Sequence, residues 1–146
     1  MMTSKTNETR RGSCLCGQVQ FELQGKPLLH LVCHCENCQR WSGSAFLSHY
    51  FLKPERVDIQ QGKESVKTFS DPNTSSGLPM LRSFCSECGS SLFMKLASEP
   101  FTLVCASAVD EKYEIDPHKQ LHSENQRSWV TIKMASSGGN KGGTKL

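Results

Sequence analysis

The sequence predicts a mainly β, single-domain protein of short strands, supported by bound zinc. Two observations predict the strands: polar and apolar residues alternate in short runs, and turn-forming residues separate those runs. A third observation concerns stability. Only 36% of the 146 residues are hydrophobic, so the expected core is thin, and seven of the eight cysteines form clusters that offer metal sites to reinforce it.

The first predicted strand spans residues 19–23, where Val19, Phe21 and Leu23 alternate with polar side chains. Apolar runs bounded by turn formers predict further strands at residues 28–33, 45–52, 57–60, 66–69, 80–85, 91–96, 101–107 and 129–134. So many short strands favour a β-rich architecture over a helical one.

Three of these elements have a predicted place in the fold. The strands at 57–60 and 66–69 are expected to form a hairpin around Gly62. The run at 101–107 is apolar enough for a central strand. The main helix signal lies at residues 37–43.

The domain is expected to cover residues 12–134. Residues 1–11 are polar and are predicted to form a flexible arm, and residues 135–146 are rich in Gly, Ser and Lys and are predicted to form a flexible tail. Residues 70–78 consist mostly of turn formers and small polar residues, so we expect an exposed loop there. Such a loop either borders a site or is inert surface, and inert surface is the favoured interpretation.

The cellular location bears on what the cysteines do. No run of 18 apolar residues exists and the segment MMTSKTNETRR has no apolar stretch, so neither a membrane span nor a secretory signal is expected. The predicted location is the cytoplasm, where metal or catalytic roles are favoured over disulfides. Seven thiolates binding two Zn²⁺ ions would bring the formal charge from +3 to zero, so no nucleic acid partner is expected.

Two cysteine pairs suit a closed structural zinc site. Cys85 and Cys88 are separated by two residues and followed by glycine, a spacing that lets both sulfurs face one ion. Cys14 and Cys16 form a similar tight turn with one residue fewer. Structural zinc prefers four ligands, commonly as two pairs from distant parts of the chain, so these four cysteines are predicted to share one Zn²⁺.

The middle cysteine group differs because it supplies three thiolates, from Cys33, Cys35 and Cys38. Three ligands leave a fourth position for water or substrate, as in a catalytic zinc site. A thiol bound there loses its proton near neutral pH. Two structural zinc ions or an iron–sulfur cluster also suit these spacings, so an enzyme and a structural module both stay open at this point.

Two further residues have simpler interpretations. His34 lies between two cysteines in an extended stretch, so its side chain is expected to point away from them. Cys105 lies in the apolar run FTLVCASAV and is expected to be a buried, inert thiol.

Four segments of the sequence resemble one known family, the glutathione-dependent formaldehyde-activating enzymes, which also include the centromere-protein-V-like proteins. They are GSCLCGQVQFELQG at residues 12–25, CHCENCQRWSGSAF at 33–46, SFCSECGSSLF at 83–93 and LHSENQRSWVTI at 121–132. Together these segments cover both ends of the expected domain.

The resemblance implies an Mss4-like, zinc-containing β fold. It implies a structural zinc on the four paired cysteines and a catalytic zinc on Cys33, Cys35 and Cys38. The implied activity is that of a carbon–sulfur lyase, which joins formaldehyde and glutathione in S-hydroxymethylglutathione. The expected partners are therefore a glutathione-like thiol and an aldehyde.

Other residues near the predicted site have candidate roles. His122 is a candidate proton donor or a structural histidine, and Arg40 is a candidate to hold a carboxylate of the thiol or a solvated surface residue. The aromatic residues Trp41, Phe46 and Trp129 are candidates to wall the pocket, but core packing is the favoured interpretation for all three. Two rival functions remain: a non-enzymatic zinc module that binds protein or chromatin, and a metallated redox sensor.

Overall fold

A computed structural model describes residues 8–136, in which strands outnumber α-helices ten to one. The elements are β1 (Thr9–Ser13), β2 (Gln20–Gln24), β3 (Leu29–Cys33), α1 (Glu36–Ser42), β4 (Leu47–Leu52), β5 (Val57–Gln61), β6 (Val66–Asp71), β7 (Met80–Cys85), β8 (Ser91–Leu96), β9 (Thr102–Cys105) and β10 (Lys119–Leu121). The mainly β fold class is confirmed. Within the described residues, no helix has the length and apolar character needed to cross a membrane.

The strands form two sheets of unequal size. The smaller sheet has the order β1-β2-β5, and the larger has the order β10-β3-β4-β9-β8-β7-β6. Neighbouring strands are antiparallel except for the parallel pair β10–β3. The apolar strand β9 lies at the middle of the larger sheet, as predicted.

The main core lies between the two sheets. Phe21 on β2 meets Phe93 on β8 with ring centroids 4.9 Å apart, in the edge-on geometry that aromatic pairs favour. Tyr50 on β4 meets Tyr113 in the same way at 5.0 Å. Register places Phe93 opposite Val104 and Val104 opposite Tyr50, so these three side chains share the inner face of the larger sheet.

The opposite face of the larger sheet carries a different set of side chains. Cross-strand partners share a face, and the register from β3 to β6 aligns Leu31, His49, Cys105, Leu103, Met94, Arg82 and Phe69 on it. Cys33 follows Leu31 by two residues and therefore lies on the same face. The helix α1 packs on this face through Trp41, whose ring lies 5.3 Å from the Arg82 guanidinium.

The hairpin predicted around Gly62 is wrong. Strand β5 pairs with β2 in the smaller sheet, whereas β6 pairs with β7 in the larger one. Gly62 is left-handed, with φ of 78°, and a Cβ placed on it would lie 2.1 Å from the carbonyl oxygen of Gln18. This close turn carries the chain from one sheet to the other instead of folding it back.

Both ends of the described chain also differ from the prediction. β1 begins at Thr9, inside the segment expected to be flexible, and β10 had no sequence signal. No strand forms at residues 129–134 in the described chain, and β10 is the strand beside β3 at this end of the larger sheet. Trp129, expected in the core, has 76% of its surface exposed. Residues 1–7 and 137–146 of the predicted arm and tail lie outside the described residues.

Candidate metal centres and the adjoining cleft

The first candidate centre is the four-cysteine cluster of Cys14, Cys16, Cys85 and Cys88, whose sulfur atoms all lie within 4.8 Å of one another. The Cys14–Cys16 separation is 3.5 Å and the Cys16–Cys85 separation is 3.9 Å. Zn–S bonds of about 2.3 Å in a tetrahedron require sulfurs about 3.8 Å apart. These cysteines therefore fit a closed, four-ligand metal site.

Tight turns present these sulfurs to one another. Gly17 and Gly89, which follow the two pairs, are left-handed with φ of 77° and 74°. Cys14 Sγ accepts a hydrogen bond from a backbone N–H at 3.2 Å. Hydrogen bonds from Ser90 lower the pKa of Cys88 to about 5, which favours the thiolate form that binds metals.

The four-cysteine cluster joins the two sheets. Cys14 follows β1 in the smaller sheet, and Cys85 ends β7 in the larger one. A metal ion here would connect Cys16 to Cys85 across 69 positions of the chain. Such a site contributes on the order of 10 kcal/mol to folding. Because all four ligand positions are filled by cysteine, this cluster suits a structural role.

The second candidate centre is the three-cysteine cluster of Cys33, Cys35 and Cys38, whose sulfurs also lie within 4.8 Å of one another. Cys33 ends β3, Cys35 caps α1 by accepting the Cys38 N–H at 3.3 Å, and Cys38 lies in the first turn of α1. Cys33 and Cys38 are buried and Cys35 is half-buried. No fourth histidine, cysteine or carboxylate joins this cluster in the described part of the chain, so a metal ion here would keep one position open.

The three thiols do not share their protons evenly. Hydrogen bonds from Cys33 and Cys38 lower the pKa of Cys35 to about 2. Donation to its two neighbours, together with burial, raises the pKa of Cys33 well above its ordinary value. Without a metal, the cluster therefore favours a single thiolate, at Cys35. A bound divalent cation would offset the negative charge of all three cysteines as thiolates.

A buried arginine lies beside the three-cysteine cluster. Arg82 Nη1 is 3.8 Å from Cys38 Sγ, and Arg82 Nε donates to Asp71 Oδ2 at 2.9 Å. Both charged residues are buried. Sequence reasoning missed this pair, although a charge in the middle of an apolar strand such as β7 is a signal that a buried partner is needed.

A cleft of about 300 Å³ opens next to this arginine. Its lining comes from α1, from β6 with the loop that follows, and from β7: Asn37, Arg40, Trp41, Phe69, Asp71, Asn73 and Arg82. The segment 70–78, expected to be inert surface, therefore borders the candidate site. Trp41 both packs against the core, as expected, and lines the cleft.

Arg40 lines the same cleft with 83% of its side chain exposed. Its only ion pair among the described residues is with Glu36 on the preceding helical turn, at 3.9 Å. An exposed pair of this kind contributes little and is easily exchanged for a ligand. The position of Arg40 is thus compatible with binding an anionic group in the cleft.

His122 lies near the three-cysteine cluster from the other side. It follows β10, whose pairing places Leu121 beside Cys33. Its backbone is left-handed, with φ of 54°, and its Nδ1 lies 3.2 Å from Glu124 Oε1. The electrostatic influence of His122 adds, as a minor contribution, to the thiol hydrogen bonds that lower the pKa of Cys35.

Three other residues lie outside the two clusters. His34 is buried, and its Nε2 lies 2.7 Å from Gln120 Oε1, so it points away from the cysteines as predicted. Cys105 is buried as predicted, and burial raises its pKa. Phe46 packs towards His34, with ring centroids 6.1 Å apart.

These features define a small β domain with two sulfur-rich candidate metal sites, one closed and one open beside a cleft. The family model described as glutathione-dependent formaldehyde-activating enzyme matches residues 9–125. The chain belongs to this family, and the resemblance found in the sequence is confirmed.

Two similar proteins extend this comparison. A Halomonas elongata protein named for the same enzyme is 27% identical over 125 residues, which cover 84% of this chain and 80% of that protein. A crystal structure of a Rhodobacter sphaeroides protein matches with a TM-score of 0.56 and 18% identity, covering 71% of this chain and 91% of that chain. The second similarity supports the fold alone.

Proposed function

We propose that this protein joins a glutathione-like thiol to formaldehyde or a related small aldehyde, acting as a carbon–sulfur lyase in the reverse direction. Family membership supports the reaction class. The observation that carries the proposal is the three-cysteine cluster, which leaves one metal position open. A cleft of about 300 Å³ is lined by Arg82, whose guanidinium lies 3.8 Å from Cys38 Sγ. The proposed location is the cytoplasm, and the proposed partners are these two small molecules.

We assign Zn²⁺ to both clusters. Thiolates are soft donors that suit zinc, and the measured sulfur separations support tetrahedral coordination in the four-cysteine cluster. In the second site, Cys33, Cys35 and Cys38 would hold the ion. Zinc bound there would supply positive charge that keeps a thiol at the open position in its thiolate form near neutral pH.

The reaction balances without an oxidant or a reductant. The thiolate sulfur attacks the aldehyde carbon and forms the new C–S bond, and the electron pair of the carbonyl bond moves to the oxygen. That oxygen then takes up one proton, which gives the S-hydroxymethyl product. His122 is the proposed proton donor, supported by its partly exposed ring and its electrostatic effect on Cys35.

Arg40 is the proposed anchor for a carboxylate of the thiol substrate. Its guanidinium is exposed and belongs to the cleft lining, and a guanidinium binds carboxylates with two parallel hydrogen bonds. Arg40→Ala is therefore expected to raise KM for glutathione with a smaller effect on kcat. A thiol without carboxylates, such as 2-mercaptoethanol, should respond little to this change.

The test of the proposed function is exchange between ¹³C-formaldehyde and its glutathione adduct, followed by NMR with protein reconstituted with two zinc ions. Wild-type protein should accelerate the exchange in proportion to its concentration, and Cys35→Ser should not. Exchange at the spontaneous rate with both zinc ions bound would contradict the proposed reaction and favour the non-enzymatic zinc module.

A further inference from the structure

We infer that Arg82, fixed by Asp71, is a positioning residue of the three-cysteine site: its guanidinium holds Cys38 Sγ and supplies the charge that stabilises this sulfur as a thiolate ligand. The inference rests on the metal-binding part of the proposed function and is independent of which aldehyde or thiol reacts. It concerns a residue that does not itself touch the reacting atoms.

The geometry supplies the first argument. Arg82 Nε donates to Asp71 Oδ2 at 2.9 Å, which fixes the plane of the guanidinium. Nη1 then faces two sulfur atoms, Cys38 Sγ at 3.8 Å and Met94 Sδ at 3.3 Å. One face of the guanidinium lies over the Trp41 ring at 5.3 Å. The arginine is therefore held on three sides while one N–H group reaches a metal-site sulfur.

Charge supplies the second argument. Three thiolates around one Zn²⁺ leave a net charge of about −1, and a buried net charge is costly unless a partner compensates it. Arg82 places a positive charge 3.8 Å from Cys38 Sγ, with its side chain only 5% exposed, and shares that charge between this sulfur and the Asp71 carboxylate. Hydrogen bonds to metal ligands of this kind commonly change metal affinity about ten- to a hundredfold.

A purely structural ion pair would behave differently. If the Arg82–Asp71 pair only held β6 to β7, removing either residue would weaken metal binding at the three-cysteine site to the same extent. If Arg82 acts on Cys38 by its charge, the two partners have opposite effects on metal binding. Arg82→Met removes the compensating charge. Asp71→Asn removes a negative charge but keeps a side-chain oxygen that can accept from Arg82 Nε, so the guanidinium stays in place.

The deciding measurement is the dissociation constant of the second zinc equivalent, which is assigned to the three-cysteine site. It is obtained by competition with a chromophoric chelator. Arg82→Met should raise this constant about ten- to a hundredfold. Asp71→Asn should leave this dissociation constant unchanged or lower it. Arg82→Lys should bind zinc more tightly than Arg82→Met, because lysine keeps the positive charge, but more weakly than wild type, because it lacks the planar guanidinium. Leu52→Ala, on the opposite face of the sheet, is the control for general destabilisation and should leave the constant unchanged.

Cobalt(II) in the second site gives an independent readout. The thiolate-to-cobalt absorption band should move to longer wavelength in Arg82→Met, because a thiolate without its donor gives up an electron more easily. The band should stay in place in Leu52→Ala.

Two sets of results would overturn the inference. Equal weakening of zinc binding by Arg82→Met and Asp71→Asn, or an unshifted cobalt band, would overturn it alone and leave the proposed function intact. A wild-type protein that holds no second zinc ion would overturn the proposed function and this inference together.

Discussion

Arg82 and Asp71 form an ion pair of 2.9 Å in which both side chains are more than nine-tenths buried. The Asp71 carboxylate also accepts from Asn37 Nδ2 at 3.0 Å and from the Asn73 backbone N–H at 3.1 Å. It therefore ties β7, the loop after β6 and the helix α1 to one another. Since α1 carries Cys38, this pair links the stability of the domain to the geometry of the three-cysteine cluster.

The first prediction concerns the stability that this pair provides. Arg82→Met and Asp71→Asn should each lower the free energy of unfolding by about 3–5 kcal/mol, because each leaves the opposite charge buried without its ion-pair partner. The double variant should lose less than the sum of the two, since it buries neither charge. Urea unfolding of the zinc-loaded proteins measures all three values. Strictly additive losses would show that the two side chains do not act as a pair.

The second prediction separates the two metal centres. Cys88→Ser should reduce the zinc content by one ion per chain and strongly lower the melting temperature, because the four-cysteine cluster joins the two sheets. Cys35→Ser should also lose about one zinc ion but keep the fold and lose the activity. Metal analysis and thermal unfolding of both variants provide the measurement. Equal losses of melting temperature in the two variants would show that the assignment of roles is wrong.

The third prediction uses two glycines with the same backbone but different surroundings. Gly62 and Gly77 have φ of 78° and 75°, but only at Gly62 would a Cβ meet a neighbour, the Gln18 carbonyl oxygen at 2.1 Å. Gly62→Ala should therefore lower the free energy of unfolding by about 1–3 kcal/mol more than Gly77→Ala does, because Gly77→Ala adds only the strain of a left-handed alanine. Chemical unfolding of both variants tests this difference. Equal costs would mean that the chain between the sheets can move away from the new methyl group.

The two cysteine clusters could be predicted from sequence because the spacing that defines them is local. Cys85 and Cys88 present two sulfurs through one turn whatever surrounds them, and Cys33, Cys35 and Cys38 need only six consecutive residues. The alternation around Phe21 identified β2 for the same reason, because a half-buried strand shows its period within five residues.

The remaining features depend on contacts between distant residues. Gly62 produces the same turn signal whether the next strand returns to its own sheet or crosses to another, so the predicted hairpin was wrong. Asp71 and Arg82 are 11 residues apart, and nothing local marks them as partners. Trp129 was expected in the core because aromatic residues usually lie there, but its segment joins neither sheet in the described chain and its side chain stays exposed.

The last prediction concerns His49, which lies under the three-cysteine region on β4. It is 2% exposed, and neither ring nitrogen makes a hydrogen bond among the described residues. Burial lowers the pKa of His49 from 6.5 to about 4. Between these two values the unfolded chain binds a proton that the folded chain does not, so stability falls as the pH falls through this window. The full loss is about 3 kcal/mol, since each pKa unit corresponds to about 1.4 kcal/mol.

His49→Leu should remove this loss, because leucine cannot take up a proton in either state. At pH 7 the variant should be at least as stable as wild type, since no hydrogen bond of the ring is lost. Urea unfolding of zinc-loaded wild type and variant between pH 5 and pH 7 measures the difference. Burial also depresses the pKa of His30, but that residue is present in both proteins and its contribution largely cancels. Parallel curves of stability against pH for the two proteins would contradict this prediction. They would show that His49 is already protonated in the folded protein, and a protonated ring there needs a polar partner.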